Sequence, residues 1–170
     1  MDKKVLIPRE RIRERVQELG VRLSEDYRGK EPVLIGILNG VVFFFVELVM
    51  AMSIPLRIDF IKASSYGSSM TSSGKIRLLK GLSLHVKNQD LILVEDIVDT
   101  GLTLKHILDN LRTQEPASIK ICALIDKKER RKQPINLDYC GFTVNEGFLV
   151  GYGLDFNEQY RYLPDICVIE

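Results

Sequence analysis

An excess of charge of one sign is missing from this chain. Its 24 basic and 23 acidic residues leave a formal net charge of +1. A protein whose main partner is a nucleic-acid backbone needs a cationic surplus, so that class is set aside and no nucleic-acid partner is expected. Cysteine is scarce. Cys122, Cys140 and Cys167 are odd in number, widely spaced and without CxxC or CxxH spacing. That argues against a disulfide framework or a structural zinc site and fits a reducing cytoplasm. The opening MDKKVLIPRERIRERVQELG holds no apolar run long enough for a secretory signal. Internal repeats, low-complexity tracts and linker composition are absent too, so the 170 residues are read as one domain.

One long apolar stretch is present, Val33 to Ile54, VLIGILNGVVFFFVELVMAMSI. Its length alone would allow a spanning helix, which needs about 20 apolar residues. Asn39-Gly40 places a turn signal in its middle, and Glu47 would sit in lipid. A buried strand, a tight loop and a core helix explain it better, and no membrane partner is expected. The overall composition, 45% hydrophobic and 28% charged, is enough for a core inside a soluble surface.

The remaining pattern alternates. After Pro8, the spacing of Ile12, Val16 and Leu19 predicts a helix ending at Gly20. Pro32–Leu38 is a short continuous apolar run, the mark of a strand buried on both faces. Val41–Met52 reads as a buried helix, and Leu56–Tyr66 as an alternating strand. Gly67–Lys75, GSSMTSSGK, is poor in apolar residues and is expected to be mobile. Ile76–Leu84 is its hairpin partner or second arm. Leu91–Val94 is another buried strand. Leu104, Ile107, Leu108 and Leu111 stand at i, i+3, i+4 and i+7, predicting a helix over Leu102–Gln114. Ser118–Asp126 is a strand again, followed by a polar connection and one or two more short strands in YCGFTVNEGFLVGYGLDF. Strands separated by helices give an α/β domain with a mostly parallel sheet covered on both faces. In such sheets ligands bind beyond the carboxyl ends of the strands, where the Asn39-Gly40 turn, Glu95 and Asp126 fall.

The most informative segment is Leu91–Leu104, LILVEDIVDTGLTL. Four apolar residues run into Glu95 and Asp96; Asp99 follows, then Thr100, Gly101, Leu102 and Thr103. A loop between a strand and a helix points backbone N–H groups outward, and the helix dipole adds positive potential. Gly101 allows close approach and the two threonines supply hydroxyls, which suits a monophosphate. It is not a Walker loop, because the GK[ST] ending is missing; Gly74-Lys75 is not one either, since Ile76 follows and Ser69 stands where a glycine is needed. Glu95 and Asp96 repel phosphate but suit a hydroxyl pair, a divalent cation, or both. A ribose 5-phosphate has that shape. Taken singly, the acids also read as a solvated turn, and Asp99 as a helix N-cap.

LVEDIVDTGLTL resembles the phosphoribosyl-diphosphate signature of type I phosphoribosyltransferases. The tail GFLVGYGLDFNEQYRYLPDICVI, Gly147–Ile169, resembles the end of their hypoxanthine-guanine branch, and the likeness runs from VLIGILNG to DICVIE. The resemblance implies the type I phosphoribosyltransferase fold: a core at about 10–140, a small hood from the N-terminal segment and about 141–170, and a mobile lid loop. It implies transfer of a phosphoribosyl group from 5-phosphoribosyl 1-diphosphate to N9 of hypoxanthine or guanine, with Mg2+ as cofactor, in a cytoplasmic homodimer or homotetramer.

Residue by residue, it implies that Glu95 and Asp96 face the ribose hydroxyls and magnesium. Asp99 is the general base near purine N7, and Asp99, Thr100, Gly101, Leu102 and Thr103 wrap the 5′-phosphate. Leu38, Asn39 and Gly40 form the diphosphate loop, often with a non-proline cis peptide; many relatives carry Lys or Arg where Asn39 stands, so here backbone N–H groups take the anion. Ser65 and Tyr66 match the lid pair. Lys127 contacts the purine 6-oxo group, Phe148 stacks on the base, and the Leu149 backbone reads its edge. Asp155 holds a second magnesium through water, and Arg161 reaches the diphosphate. Water competes with the purine for the ribose carbon, which is why a lid must close. Two alternatives stand beside this reading: a xanthine-preferring enzyme, and a phosphoribosyltransferase-like regulatory module that binds RNA or nucleotides.

Overall fold

In the computed structural model, residues 2–65 and 76–169 are described. Along the chain they form β1 (Lys3–Ile7), α1 (Arg9–Asp26), β2 (Val33–Leu38), α2 (Val42–Ala51), β3 (Arg57–Ser65), β4 (Ile76–Lys80), β5 (Asp90–Val98), α3 (Leu102–Arg112), β6 (Ser118–Lys127), β7 (Tyr139–Val144), β8 (Phe148–Val150) and β9 (Ile166–Ile169). A six-stranded sheet has the order β4-β3-β2-β5-β6-β7, parallel except where β4 pairs antiparallel with β3. A small antiparallel sheet, β1-β9-β8, joins the two ends of the chain.

Period-two alternation sends the strand side chains to two cores. Leu34, Ile92 and Val94 meet α1 and α2 on one face, through Ile12, Val16, Leu19, Leu23, Phe44, Phe45 and Leu48. Val33, Ile35, Leu91 and Leu93 meet Leu104, Ile107, Leu108 and Leu111 of α3 on the other. Burial of one such side chain is worth about 1.5–3 kcal/mol. The four on α3 therefore outweigh the roughly 1 kcal/mol forgone because no side chain caps its N-terminus. That end stays open without endangering the helix.

Four sequence expectations need correction. Helix α1 does not stop at Gly20 but runs on to Asp26. Gly20 is an interior contact: a Cβ there would lie 2.5 Å from Ala51 Cβ on α2, so glycine lets the two helices touch. Helix α2 is buried on one face only, leaving Val42, Phe43, Val46 and Met50 exposed. Strand β5 does not end at Val94 but continues to Val98, because β6 pairs alongside it as far as Val98 opposite Asp126. Glu95 and Asp96 thus sit inside the strand. Terminal strands β1 and β9 were not anticipated; both are short, and β1 finds its partner only across the whole chain, in a β9 that also pairs with β8. The apolar stretch 33–54 divides into β2 and the ten-residue α2, and no helix among the described residues is long and apolar enough to cross a membrane.

The topology fixes where a ligand fits. From β2 the chain crosses through α2 to β3 on one side; from β5 it crosses through α3 to β6 on the other. The point where winding reverses, between β2 and β5, leaves a crevice at the strands' carboxyl ends. The two strands pair only as far as Gly36 opposite Val94, and beyond that they part.

Candidate active site

The crevice holds a cavity of about 300 Å³ lined by Leu38, Asn39, Gly40, Glu95, Asp96 and the start of α3. Asp155 and Arg161 reach it from the tail. The peptide bond between Leu38 and Asn39 is cis, as the resemblance implied. Gly40 lies against the acids: a Cβ there would stand 1.9 Å from Asp96 Oδ2, so any side chain would collide with the carboxylate.

Both acids are buried. Burial and then the neighbouring Asp96 charge push the Glu95 carboxyl well above its ordinary range. Burial also raises Asp96, offset in part by hydrogen bonds from Glu95 and the Ile97 N–H (2.7 Å) and by the Arg161 charge. Two adjacent carboxyls that resist ionising side by side are a donor set that a divalent cation would satisfy. Among the described residues no group of three His, Cys, Asp or Glu converges on one point. A cation here would therefore need oxygens from a substrate to complete its shell, which fits the magnesium the resemblance implies.

At the other wall, Gly101 caps α3 in the left-handed conformation, φ 78°. Among the described residues the only side-chain acceptor on these first-turn N–H groups is Thr100 Oγ1, 3.3 Å from Leu102 N, leaving the others for an anion. Asp99 is not the N-cap. Its Oδ1 is buried with no hydrogen-bond partner among the described residues, while Oδ2 lies 3.6 Å from Arg130 Nη1.

A second cavity, about 200 Å³, opens beside the first and shares Asp96, Ile97, Asp99 and Asp155 with it. Lys127, Phe148 and Leu149 line it, with Arg130 and Leu154. Lys127 ends β6 at 6% exposure, its ammonium 3.2 Å from Glu129. Phe148 is 45% exposed and meets Phe156 edge to face at 5.4 Å, so one ring face is free to stack. Strand β8, carrying Leu149, is an edge strand, and half of its backbone groups face away from β9. Asp155 accepts from the Glu158 N–H (2.9 Å) and pairs with Arg161 (3.0 Å), whose other arm holds Gly153 O (2.7 Å).

The structure brings segments far apart in the chain to one place, since lining residues come from 37–40, 95–104, 127–130 and 148–161. Leu102 opens α3 without lining either cavity. Ser65 closes β3; Tyr66 and the expected lid at Gly67–Lys75 lie outside the described residues. Sequence reasoning missed Ala63, Arg130 and Leu154, none of which carries a motif. Size does not locate the site: a larger cleft of about 520 Å³, between α3, β6 and residues 134–138, holds no comparable acid pair.

Comparison with known proteins agrees. A family model for the phosphoribosyl transferase domain matches residues 8–157. The hypoxanthine-guanine phosphoribosyltransferase of Bacillus subtilis is 42% identical over 167 residues, covering 98% of this chain and 93% of its own. That of Streptococcus pneumoniae is 44% identical over 168 residues, 99% of this chain and 93% of its own. Among solved structures, a hypoxanthine phosphoribosyltransferase from Staphylococcus aureus superposes with a TM-score of 0.94 at 40% identity, covering 98% of this chain and 91% of that one.

Proposed function

The chain belongs to the phosphoribosyl transferase family, and on that premise we propose that it transfers a phosphoribosyl group from 5-phosphoribosyl 1-diphosphate to N9 of hypoxanthine or guanine, for purine salvage. The observation that carries this reading is the pair of adjoining cavities: one has an acid pair and an open helix N-terminus, the other a buried lysine and an aromatic face, and Asp99 stands between them.

The roles in this reading rest on the family resemblance and are supported by placement. Thr100, Gly101 and Thr103, with the N–H groups at the start of α3, hold the 5′-phosphate. Glu95 and Asp96 hold the ribose hydroxyls and would hold Mg2+, joined at a second position by Asp155. Bound there, the metal supplies charge that stabilises the departing diphosphate. Leu38, Asn39, Gly40 and Arg161 receive that diphosphate, the first three through backbone groups and Arg161 through the face not spent on Asp155. Lys127, Phe148 and Leu149 orient the purine, and Asp99 accepts its N7 proton while N9 attacks C1 of the ribose. The carboxylates near the sugar favour an oxocarbenium-like transition state.

One assay tests the whole reading: hypoxanthine, guanine, xanthine and adenine are each mixed with enzyme, phosphoribosyl diphosphate and magnesium, and nucleotide formation is followed by absorbance. Turnover of a 6-oxopurine is expected, and its loss in excess chelator with recovery on adding magnesium. No turnover of any base would overturn the function; full activity in chelator would remove the metal role from Glu95, Asp96 and Asp155.

Free Cys122, Cys140 and Cys167 suit a reducing, cytoplasmic setting. The exposed stripe Val42, Val46 and Met50, at i, i+4 and i+8 beside Phe43, is best covered by a second copy of the chain. It begins two residues after the diphosphate loop, so assembly would steady that loop. Val46→Glu, a surface change, is expected to shift the wild-type oligomer to monomer in sedimentation velocity; identical sedimentation of both proteins would move the interface elsewhere.

A further inference from the structure

Arg131 lines neither cavity, yet its guanidinium engages four residues around them. Nε donates to Asp99 O (2.8 Å), and Nη2 donates to Val98 O (2.9 Å) and Lys127 O (3.3 Å) and pairs with the Asp126 carboxylate. The side chain is 16% exposed. Two of these partners, Val98 and Asp99, stand where β5 gives way to the loop before α3, and two end strand β6. The segment after Arg131 continues the clamp. Lys132 and Gln133 both donate backbone N–H groups to Thr100 O, at 2.9 and 3.1 Å, and Arg131 Cδ, Gln133 O and Ile135 crowd the place where a side chain on Gly101 would be.

Strands β5 and β6 pair as far as Val98 opposite Asp126, and no ladder bond holds them beyond. Past that point the phosphate loop and the lysine-bearing strand end would be free to move apart. A planar fork with several fixed donors bridges such a gap; an ammonium on a flexible stem presents one point of charge and cannot span both sides.

We propose that Arg131 is a positioning residue that fixes the phosphate loop against the purine strand, setting the distance between the phosphate and base subsites. The inference rests on the reading of those subsites given above. A ligand that fills both subsites needs that distance to be right; one that fills only the base and sugar positions does not. Misplacement by about 1 Å can cost a reaction in a rigid site on the order of 100-fold, which sets the upper end of the effect expected here.

The test compares binding of a purine nucleoside 5′-monophosphate with that of the same nucleoside without phosphate, by calorimetry, in wild type, Arg131→Met and Arg131→Lys. In wild type the monophosphate binds far more tightly. In Arg131→Met this preference is expected to fall by about 10- to 100-fold, and in Arg131→Lys by less, with nucleoside binding nearly unchanged. A general loss of structure would lower the melting temperature and weaken both ligands together. Arg131→Lys, which keeps the charge and the stem, supplies the comparison if Arg131→Met does not fold. A preference unchanged within about twofold in the folded variants overturns the positioning role, whatever happens to the melting temperature. A wild type that does not prefer the monophosphate overturns the phosphate subsite itself, and this inference with it.

Discussion

Asp99→Asn is expected to lower kcat by about 10²–10⁴-fold, the span usual for loss of a general base. Asparagine keeps the size and shape of the side chain and can still accept a hydrogen bond through its oxygen, but it cannot take up a proton. The position is suited to proton transfer. Asp99 lines both cavities, so it stands between the two subsites proposed for sugar and base. Its Oδ1 is buried and unpartnered among the described residues, an acceptor kept free of the helix that follows, whose cap is Gly101. A buried acceptor left without a donor costs about 1–3 kcal/mol, so an N–H on a ligand would repay a standing penalty. The backbone carbonyl of Asp99, held by Arg131, is untouched by the substitution, and the loop keeps its shape. Binding of phosphoribosyl diphosphate is therefore expected to change far less than turnover. The measurements are kcat at saturating substrates and the dissociation constant of phosphoribosyl diphosphate, for both proteins. A variant within about twofold of wild type in kcat removes proton transfer from the role of Asp99 and leaves it a spacer.

The reading of LILVEDIVDTGLTL shows what a sequence can and cannot convey. The order of residue types was enough to infer an acid pair, a glycine and two hydroxyls before a helix, because strand-to-loop-to-helix chemistry is local. It was not enough to place the acids. They were expected past a strand ending at Val94, whereas β5 carries them inward to Val98. Strand length depends on a neighbour, here β6, whose register no local pattern records. Gly20 failed for the same reason: as local punctuation it ends a helix, and only its contact with Ala51 explains it within one. The exposed face of α2 was hidden because FFFVELVM is apolar apart from Glu47, so periodicity could not tell core from surface. Lys127, Phe148 and Arg161 were legible only by family resemblance. In isolation each is a surface charge or a core ring, and what marks them in the structure is convergence from segments far apart in the chain. Arg131 was passed over as one cation in the run KKERRK, although its four contacts make it unlike its neighbours.

Base choice carries the largest expected effect. Hypoxanthine and guanine present a carbonyl acceptor at C6 and a donor at N1; adenine presents an amino donor and a lone pair. Lys127 is a donor only, and it is a buried residue of the smaller cavity's lining. Against adenine its ammonium would face another donor. The penalty is not that of an isolated buried charge, because Glu129 lies 3.2 Å away and remains as a partner. That pair is about half exposed on the glutamate side, where water screens it, so it softens the mismatch without cancelling it. The lost hydrogen bond leaves about 1–3 kcal/mol, roughly 5- to 150-fold, to Lys127 alone. A Leu149 carbonyl that accepts from N1–H would face the adenine lone pair and add to it. Sites that bond a polar substrate group at more than one point can reject the wrong analogue by about 10⁴–10⁵-fold. Wild type is therefore expected to convert 6-oxopurines and essentially no adenine. Lys127→Ala is expected to lower kcat/KM for hypoxanthine by about 5- to 150-fold and to narrow, not erase, its lead over adenine, because the Leu149 backbone is untouched. The measurement is kcat/KM for both bases in both proteins. A wild type that uses adenine as readily as hypoxanthine removes Lys127 from base recognition; a variant whose discrimination matches wild type assigns the whole of it to the backbone of β8.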